Sequence, residues 1–225
     1  MGPRALVVAT RNRHKAEEIR MLLDGLPVRL LTLDEAGVRA ELSEDGATFE
    51  ENAAAKAAQA AAASGLWALA DDSGLEVDAL GGRPGVVSAR FAGPGATDAD
   101  NNRKLVAEAR AAGLVRPGAR FRCVAALRVP DGEPPPRLPP GAGPVASSAG
   151  GRALAVDGAV EGVLVEEPRG TGGFGYDPHF LLPGPGRTMA ELTREEKNRI
   201  SHRAAAFGRM RRVLEALLPA GPEAR

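Results

Sequence analysis

Over residues 4–75, short apolar runs of strand length alternate with longer runs of helical spacing, and glycines punctuate them. Such alternation is satisfied by helices layered on a sheet. The run at 4–9 reads as a buried strand. Residues 15–23 carry apolar side chains at Ala16, Ile19, Leu22 and Leu23, one face of a helix that Gly25 stops. A second strand is expected at 28–33. Thr48 and Glu51 match a capping box, in which the threonine oxygen takes the N3 amide and the glutamate reaches back. They open an alanine-rich helix ending at Gly65. A short strand at 67–70 then runs into Asp71, Asp72, Ser73 and Gly74.

The rest of the chain predicts two short strands within 75–90, a helix over 97–113 and a strand at 121–129. Strands at 153–156 and 159–165 flank Asp157-Gly158, a dipeptide suited to a hairpin turn. One long helix is expected to begin between Thr193 and Lys197 and to end near Pro219. Two hairpin-like connections beside the helices give an α/β fold: a mixed β-sheet flanked by helices, in two lobes with a cleft. Residues 1–219 read as one domain. A Pro/Gly-rich insertion at about 131–151 reads as unable to hold a ladder, and 220–225 read as a tail.

Charge removes some classes of function. The 225 residues carry 29 basic and 29 acidic side chains, a net charge of zero. General nucleic-acid or anionic-membrane binding lacks an electrostatic basis. No apolar run is long enough to cross a bilayer, and the opening strand lacks the layout of a signal peptide. Cys123 is the only cysteine, which excludes an intrachain disulfide and a thiolate zinc cage. A cytoplasmic protein is expected. His14, His179 and His202 have no zinc-binding spacing, so any metal should be a hard cation held by carboxylates and phosphate oxygens.

Lysine stands at only four positions, Lys15, Lys56, Lys104 and Lys197, in a chain that otherwise uses arginine. A compact ammonium suits a crowded phosphate pocket better than a planar guanidinium. Lys104 reads as plain surface. The other three fall in segments with chemistry of their own. Thr10, Arg11, Asn12, Arg13, His14 and Lys15 lie between a strand and a helix, where free amides and an ammonium attract anions; simple capping by Thr10 or Asn12 is the plainer reading. Thr48, Asn52 and Lys56 share one stripe of the alanine-rich helix, either a phosphate-facing set or a solvated face. Glu41, Glu44 and Asp45 precede it. Asp71 and Asp72 stand at a strand end, where α/β proteins place ligands. Adjacent strand residues face opposite ways, so the two carboxylates need not share one ion. An Asx-turn into Gly74 accounts for one of them.

Gly170, Gly172 and Gly175 match GxGxxG, but Pro178 follows and no helix opens, which excludes a dinucleotide fold. Phe174 and Tyr176 among glycines suggest a ring beside a closely approached flat ligand, or a turn pinned by one buried aromatic. Lys197, Asn198, Arg199, Ser201, His202 and Arg203 put several donors within two turns of helix, suited to the carbonyls of a base or to solvent.

These segments together resemble the inosine triphosphate pyrophosphatase family, or XTP/dITP diphosphatases. The resemblance rests on VVATRNRHKAEEI, EDGATFEENAAAKA, LADDSGLEVDALGGRPGVVSARFAG, RFRCVAAL, PRGTGGFGYDPHF and MAELTREEKNRISHRAAAF, in that order. Arg11 and Arg13 depart from the smaller residues common in the family, and the 131–151 region is longer than its usual hairpin. The resemblance implies an elongated fold with a central nucleotide-binding cleft, a homodimer and Mg²⁺. It also implies hydrolysis of ITP, dITP and XTP to a monophosphate and pyrophosphate. It casts Asp72 as catalytic base and metal ligand, with Glu44 as a second metal carboxylate. Thr10, Arg11, Asn12, Arg13, His14, Lys15 and Lys56 become the phosphate site, and Ser73 a substrate contact. Phe174, Gly175, Tyr176 and Asp177 become the base-stacking segment, and Lys197, His202 and Arg203 the readers of the base edge. A pyrophosphatase for modified pyrimidine nucleotides and a non-catalytic nucleotide sensor are the rival readings.

Overall fold

A computed structural model describes residues 2–134, 136, 146–148 and 153–218. In chain order its elements are β1 (Arg4–Val8), α1 (Arg13–Leu22), β2 (Val28–Leu31), α2 (Phe49–Ser64), β3 (Trp67–Val77), β4 (Arg83–Pro84), α3 (Asp98–Ala111) and β5 (Gly118–Arg128). Then follow β6 (Ala146–Ser148), β7 (Ala153–Leu164), β8 (Phe180–Leu182), β9 (Arg187–Thr188), α4 (Arg194–Ile200) and α5 (His202–Leu217). The sheet order is β2-β1-β3-β5-β7-β8-β9, with β4 on β3 and β6 on β7. β1 is parallel to β2 and β3, whereas β4, β6, β8 and β9 join antiparallel. The sheet is therefore mixed, as the sequence predicts. Among the described residues no helix is long and apolar enough to cross a membrane.

The chain divides into two compact units, and it passes from one to the other inside β3, β5, β7 and α5. Unit 1 holds residues 1–72, 124–157 and 205–225. Its core is a parallel arrangement covered by helix, so β1 is apolar on both faces: Leu6, Val7 and Val8 are all buried. α2 presents Ala53, Ala57, Ala60 and Ala61 inward. Methyl side chains let its axis lie close to the strands, which brings the polar residues of the same helix down to sheet level. Unit 2 holds residues 73–123 and 158–204. Its core packs Leu75, Leu105, Phe121, Tyr176, Phe180 and Met189, with the Phe121 and Phe180 ring centroids 4.6 Å apart.

Several local expectations are corrected. β3 does not stop at Ala70; it is one 11-residue strand through Val77, so Asp71 and Asp72 lie mid-strand. Residues 85–90 form a 3₁₀ turn rather than a strand. β7 runs straight through Asp157-Gly158, because Gly158 lacks the positive φ a two-residue hairpin demands. Residues 146–148 of the Pro/Gly-rich segment do form a ladder, β6 on β7; most of the remaining insertion and the 220–225 tail lie outside the described residues. The expected long C-terminal helix is two, broken where Ser201 turns extended (ψ 160) and its hydroxyl accepts the Ala204 N–H. At α2, Thr48 caps as predicted, but the Glu51 carboxylate accepts from Ala47, one residue before the cap. Lys104 is exposed, as expected, and its ammonium donates to the Phe91 carbonyl at 2.8 Å and lies 4.5 Å from the Phe91 ring centroid.

Gly74 shows how tightly β3 is seated. A Cβ there would fall 2.4 Å from Ser88 Oγ and 2.5 Å from the Gly85 carbonyl oxygen. Gly74→Ala should destabilise the protein by about 1–3 kcal/mol. Gly208→Ala, in open space on α5, should stabilise it by about 0.5–1 kcal/mol. Urea melts of the two variants check both signs.

Candidate active site

Mid-strand placement dictates the chemistry around Asp71 and Asp72. Both are buried, and a buried carboxylate persists as an anion only with partners. Adjacent strand residues alternate in direction, yet the two carboxylates share their cations: both act on Lys56, and Lys15 acts on Asp72 as well. Lys15, in the first turn of α1, puts Nζ 3.3 Å from Asp71 Oδ2. Lys56, in the middle of α2, puts Nζ 3.7 Å from Asp72 Oδ1. The Lys56 ammonium also lies 2.5 Å from Glu44 Oε1. Glu44 is thus the loop carboxylate at this cluster; Glu41 is exposed, and Asp45 accepts from the Ser43 hydroxyl.

Asn52 completes the arrangement. It is 1% exposed. Its amide nitrogen donates to Asp72 Oδ2 at 3.0 Å, and its oxygen accepts the Gly46 N–H at 2.7 Å. One side chain therefore ties the Glu44 loop to the carboxylate on β3. Burial raises the Asp72 pKa above the usual carboxylate range, against the pull of Lys56, Lys15 and the Asn52 hydrogen bond. Burial also works against the Lys56 ammonium, but Asp71, Asp72 and Glu44 together outweigh it and hold Lys56 above its ordinary value. Three carboxylates face two ammoniums here, which leaves one negative charge in excess and suits a further cation.

The donor set fits a hard dication only in part. Asp72 and Glu44 share one cation, with Oδ1 and Oε1 3.7 and 2.5 Å from Lys56 Nζ. Among the described residues, no group of three or more His, Cys, Asp and Glu side chains converges. A magnesium-like ion at Asp72 and Glu44 would take most of its oxygens from water or a bound phosphate, the usual pattern for that metal.

The 10–15 segment divides by role. Asn12 caps α1 and accepts the Lys15 N–H, while Thr10 Oγ1 accepts the Asn12 N–H. Arg11 turns away, into Asp34 and the carbonyls of Val38, Arg39 and Ala40. It staples the 34–40 loop. Arg13 and His14 are exposed on the first helical turn.

Unit 2 carries the second set. Ser73 directly follows Asp72 on β3. Its hydroxyl accepts from Arg203 Nη2 at 2.9 Å, and Arg203 is 1% exposed. Lys197 is also buried and donates to Asp177 Oδ2 at 2.7 Å. The same carboxylate oxygen accepts the Phe174 N–H. The half-buried Phe174 ring has Lys197 Nζ 4.7 Å and Arg203 Cζ 5.8 Å from its centroid. Cations at that range favour the electron-rich face of a ring. His202 stacks on Phe121 at 4.8 Å between centroids, with a 15° tilt. Tyr176 is buried in the unit 2 core and its hydroxyl donates to the Ser88 carbonyl; burial, with the Asp98 charge, drives its pKa well up. Phe174, Asp177, Lys197 and Arg203 thus form one cluster, while Tyr176 and His202 are packed against core groups.

Sequence reasoning left Asn52 and Asp71 outside the set of site residues. The i, i+4, i+8 stripe of Thr48, Asn52 and Lys56 carried the signal, and the possibility of a solvated face hid it. Asn52 and Lys56 are in fact among the most buried polar residues of the chain.

The chain matches the family model described as Ham1 family over residues 6–213. The chain belongs to the Ham1 family. It is 48% identical to a dITP/XTP pyrophosphatase of Geobacter sulfurreducens, over 90% of this chain and 92% of that protein. It is 42% identical to the dITP/XTP pyrophosphatase of Bacillus subtilis, covering 93% and 96%. A HAM1 protein from Coxiella burnetii superposes with a TM-score of 0.80 at 40% identity, over 94% of this chain and 98% of that one.

Asn52→Ala removes a donor that lowers the Asp72 pKa. It should raise that pKa further and cost about 1–3 kcal/mol, because the Gly46 N–H loses its acceptor. Carboxyl ¹³C titration and denaturant melts read the two effects; an unmoved Asp72 titration contradicts the role given to Asn52.

Proposed function

We propose that this Ham1-family chain hydrolyses deaminated purine nucleoside triphosphates, namely ITP, dITP and XTP, to the monophosphate and pyrophosphate. One observation carries the reading: a carboxylate buried mid-strand, raised in pKa, held by an asparagine and faced by lysines. That is the environment of a group that takes up a proton rather than one that merely pairs. The relatives' names, dITP/XTP pyrophosphatase, supply the substrate class.

In this reading Lys15 and Lys56, with the free amides at the start of α1, neutralise the phosphate tail. Asp72 orients a water in line with the anhydride bond and accepts its proton as the oxygen bonds to phosphorus. The P–O bond to pyrophosphate breaks, and the lysines stabilise the charge on that leaving group. Glu44 and Asp72 would hold Mg²⁺, which when bound supplies charge neutralisation of the phosphates. Phe174 stacks on the base. Lys197 and Arg203 offer donors to the acceptor O6 of hypoxanthine or xanthine. Adenine presents an amino donor there, and each unsatisfied buried donor costs about 1–3 kcal/mol. A cytoplasmic homodimer is the proposed setting, supported by the family resemblance.

Pyrophosphate release from ITP, dITP, XTP, dUTP, GTP and ATP, each with and without Mg²⁺, tests the reading. The first three should turn over fastest, and only with the metal; preference for dUTP, or binding without release, favours the rivals. Asp72→Asn should lower kcat by about 10²–10⁴-fold while dITP still binds. Because Asp72 must be ionised and burial raises its pKa, activity should rise with pH along an acid limb above the ordinary aspartate value of about 3.9. Lys56→Met removes a lowering neighbour, so that limb should move to still higher pH in a kcat/KM profile.

A further inference from the structure

The first turns of α3 carry three polar side chains that the chemistry above does not use, Asp98, Asn101 and Asn102. Each reaches backbone elsewhere in unit 2. Asp98 Oδ2 accepts the Gly175 N–H at 2.7 Å, and Asn102 Nδ2 donates to the Gly175 carbonyl at 2.9 Å. Residues four apart share a helix face, so one face of α3 grips both polar groups of a single residue. Gly175 adopts φ +62, a left-handed conformation that favours glycine. It directly follows Phe174.

The adjoining residues are held as well. The Phe174 N–H goes to Asp177, whose carboxylate also takes Lys197. The Tyr176 hydroxyl goes to Ser88. The Ser88 segment is fixed in turn by Asn101, which accepts the Ala92 N–H and donates to the Ala89 carbonyl. Phe174 is thus a half-buried ring whose chain neighbours on its C-terminal side are all tied to the unit 2 scaffold. α3 does not depend on Asp98 for its own start: Thr97 and Asp100 form a reciprocal capping box there.

We propose that Asp98 and Asn102 are positioning residues for base recognition: by clamping Gly175 they hold the Phe174 ring where the purine stacks. This rests on the reading of Phe174 as the stacking residue given under Proposed function. A ring that must be ordered on binding subtracts its ordering cost from affinity, and a clamped ring does not. Stacking is made equally in the ground and transition states, so its loss raises KM and spares kcat. It is also indifferent to which purine is bound, since every base has a π-face.

The test uses Asp98→Ala, Asn102→Ala, the double variant, and Asp98→Asn, which keeps an acceptor beside Gly175. Steady-state kinetics with dITP and XTP are paired with amide hydrogen exchange over residues 172–177. In the double variant KM for both substrates should rise by about tenfold or more. kcat should stay within about twofold, and exchange at Gly175 should quicken. Asp98→Asn should return KM toward wild type. Faster exchange with unchanged KM overturns the proposal, because the clamp would then order a loop without placing the base. A fall in kcat together with a lowered Tm also overturns it, as general destabilisation. A wild-type protein that turns over no purine triphosphate overturns the reading of function itself and this inference with it. Wild-type turnover with unmoved KM in the variants overturns the inference alone.

Discussion

Two neighbouring carboxylates buried inside a continuous strand are costly to hold, and much of unit 1 answers to them. Both are buried, and isolated ions of that kind are not tolerated in protein interiors. The answer comes from two helices, α1 and α2, each delivering one lysine. α1 must begin where it does for Lys15 to meet Asp71. α2 must be lined with alanine for Lys56 to descend to Asp72. Removing one partner of such a pair strands the other, so these residues are coupled in stability as well as in chemistry.

Much of this was legible in the sequence. Periodicity located α1, α2 and α3, and the short apolar runs located the central strands, because those signals come from burying one face of a local element. Asn12 and Thr48 start helices and Gly65 ends one, as local chemistry dictates. What failed was punctuation decided by tertiary context. Asp157-Gly158 reads as a turn, yet the neighbouring strands keep β7 extended, and Asp157 accepts from Arg209 instead. Asp71 to Gly74 reads as a loop for the same reason: polar residues and glycine look like a strand's end unless their partners are known. Those partners, Lys15, Asn52, Ser88 and Arg203, lie far away in sequence. Ser201 broke a helix that periodicity alone would continue, since its hydroxyl offers a cap to the next segment.

The candidate site was legible at the level of residue types and less so at the level of tasks. Arg11 lies in a motif that suggests anion binding, but four oxygen acceptors on the 34–40 loop capture its guanidinium. Tyr176 looks like a ligand-facing ring, but its depth and its bond to Ser88 make it a tether. In both cases the side chain is long enough to reach competing partners that no spacing rule reveals. Lys197 and Arg203 sit on different helices, and Phe174 between two glycines draws them together.

The two ends of the Asn52 amide are not interchangeable. The Gly46 N–H demands an oxygen, and the ionised Asp72 demands a hydrogen, so chemistry alone fixes the rotamer. Deamidation would replace that NH₂ with oxygen, a change of almost no volume. The new carboxylate would then confront Asp72 head-on and drive proton uptake by one of the pair. Ageing of that single amide would thus turn a tie between loop and strand into a repulsion, and the helical burial of Asn52 acts as chemical protection as much as structural support.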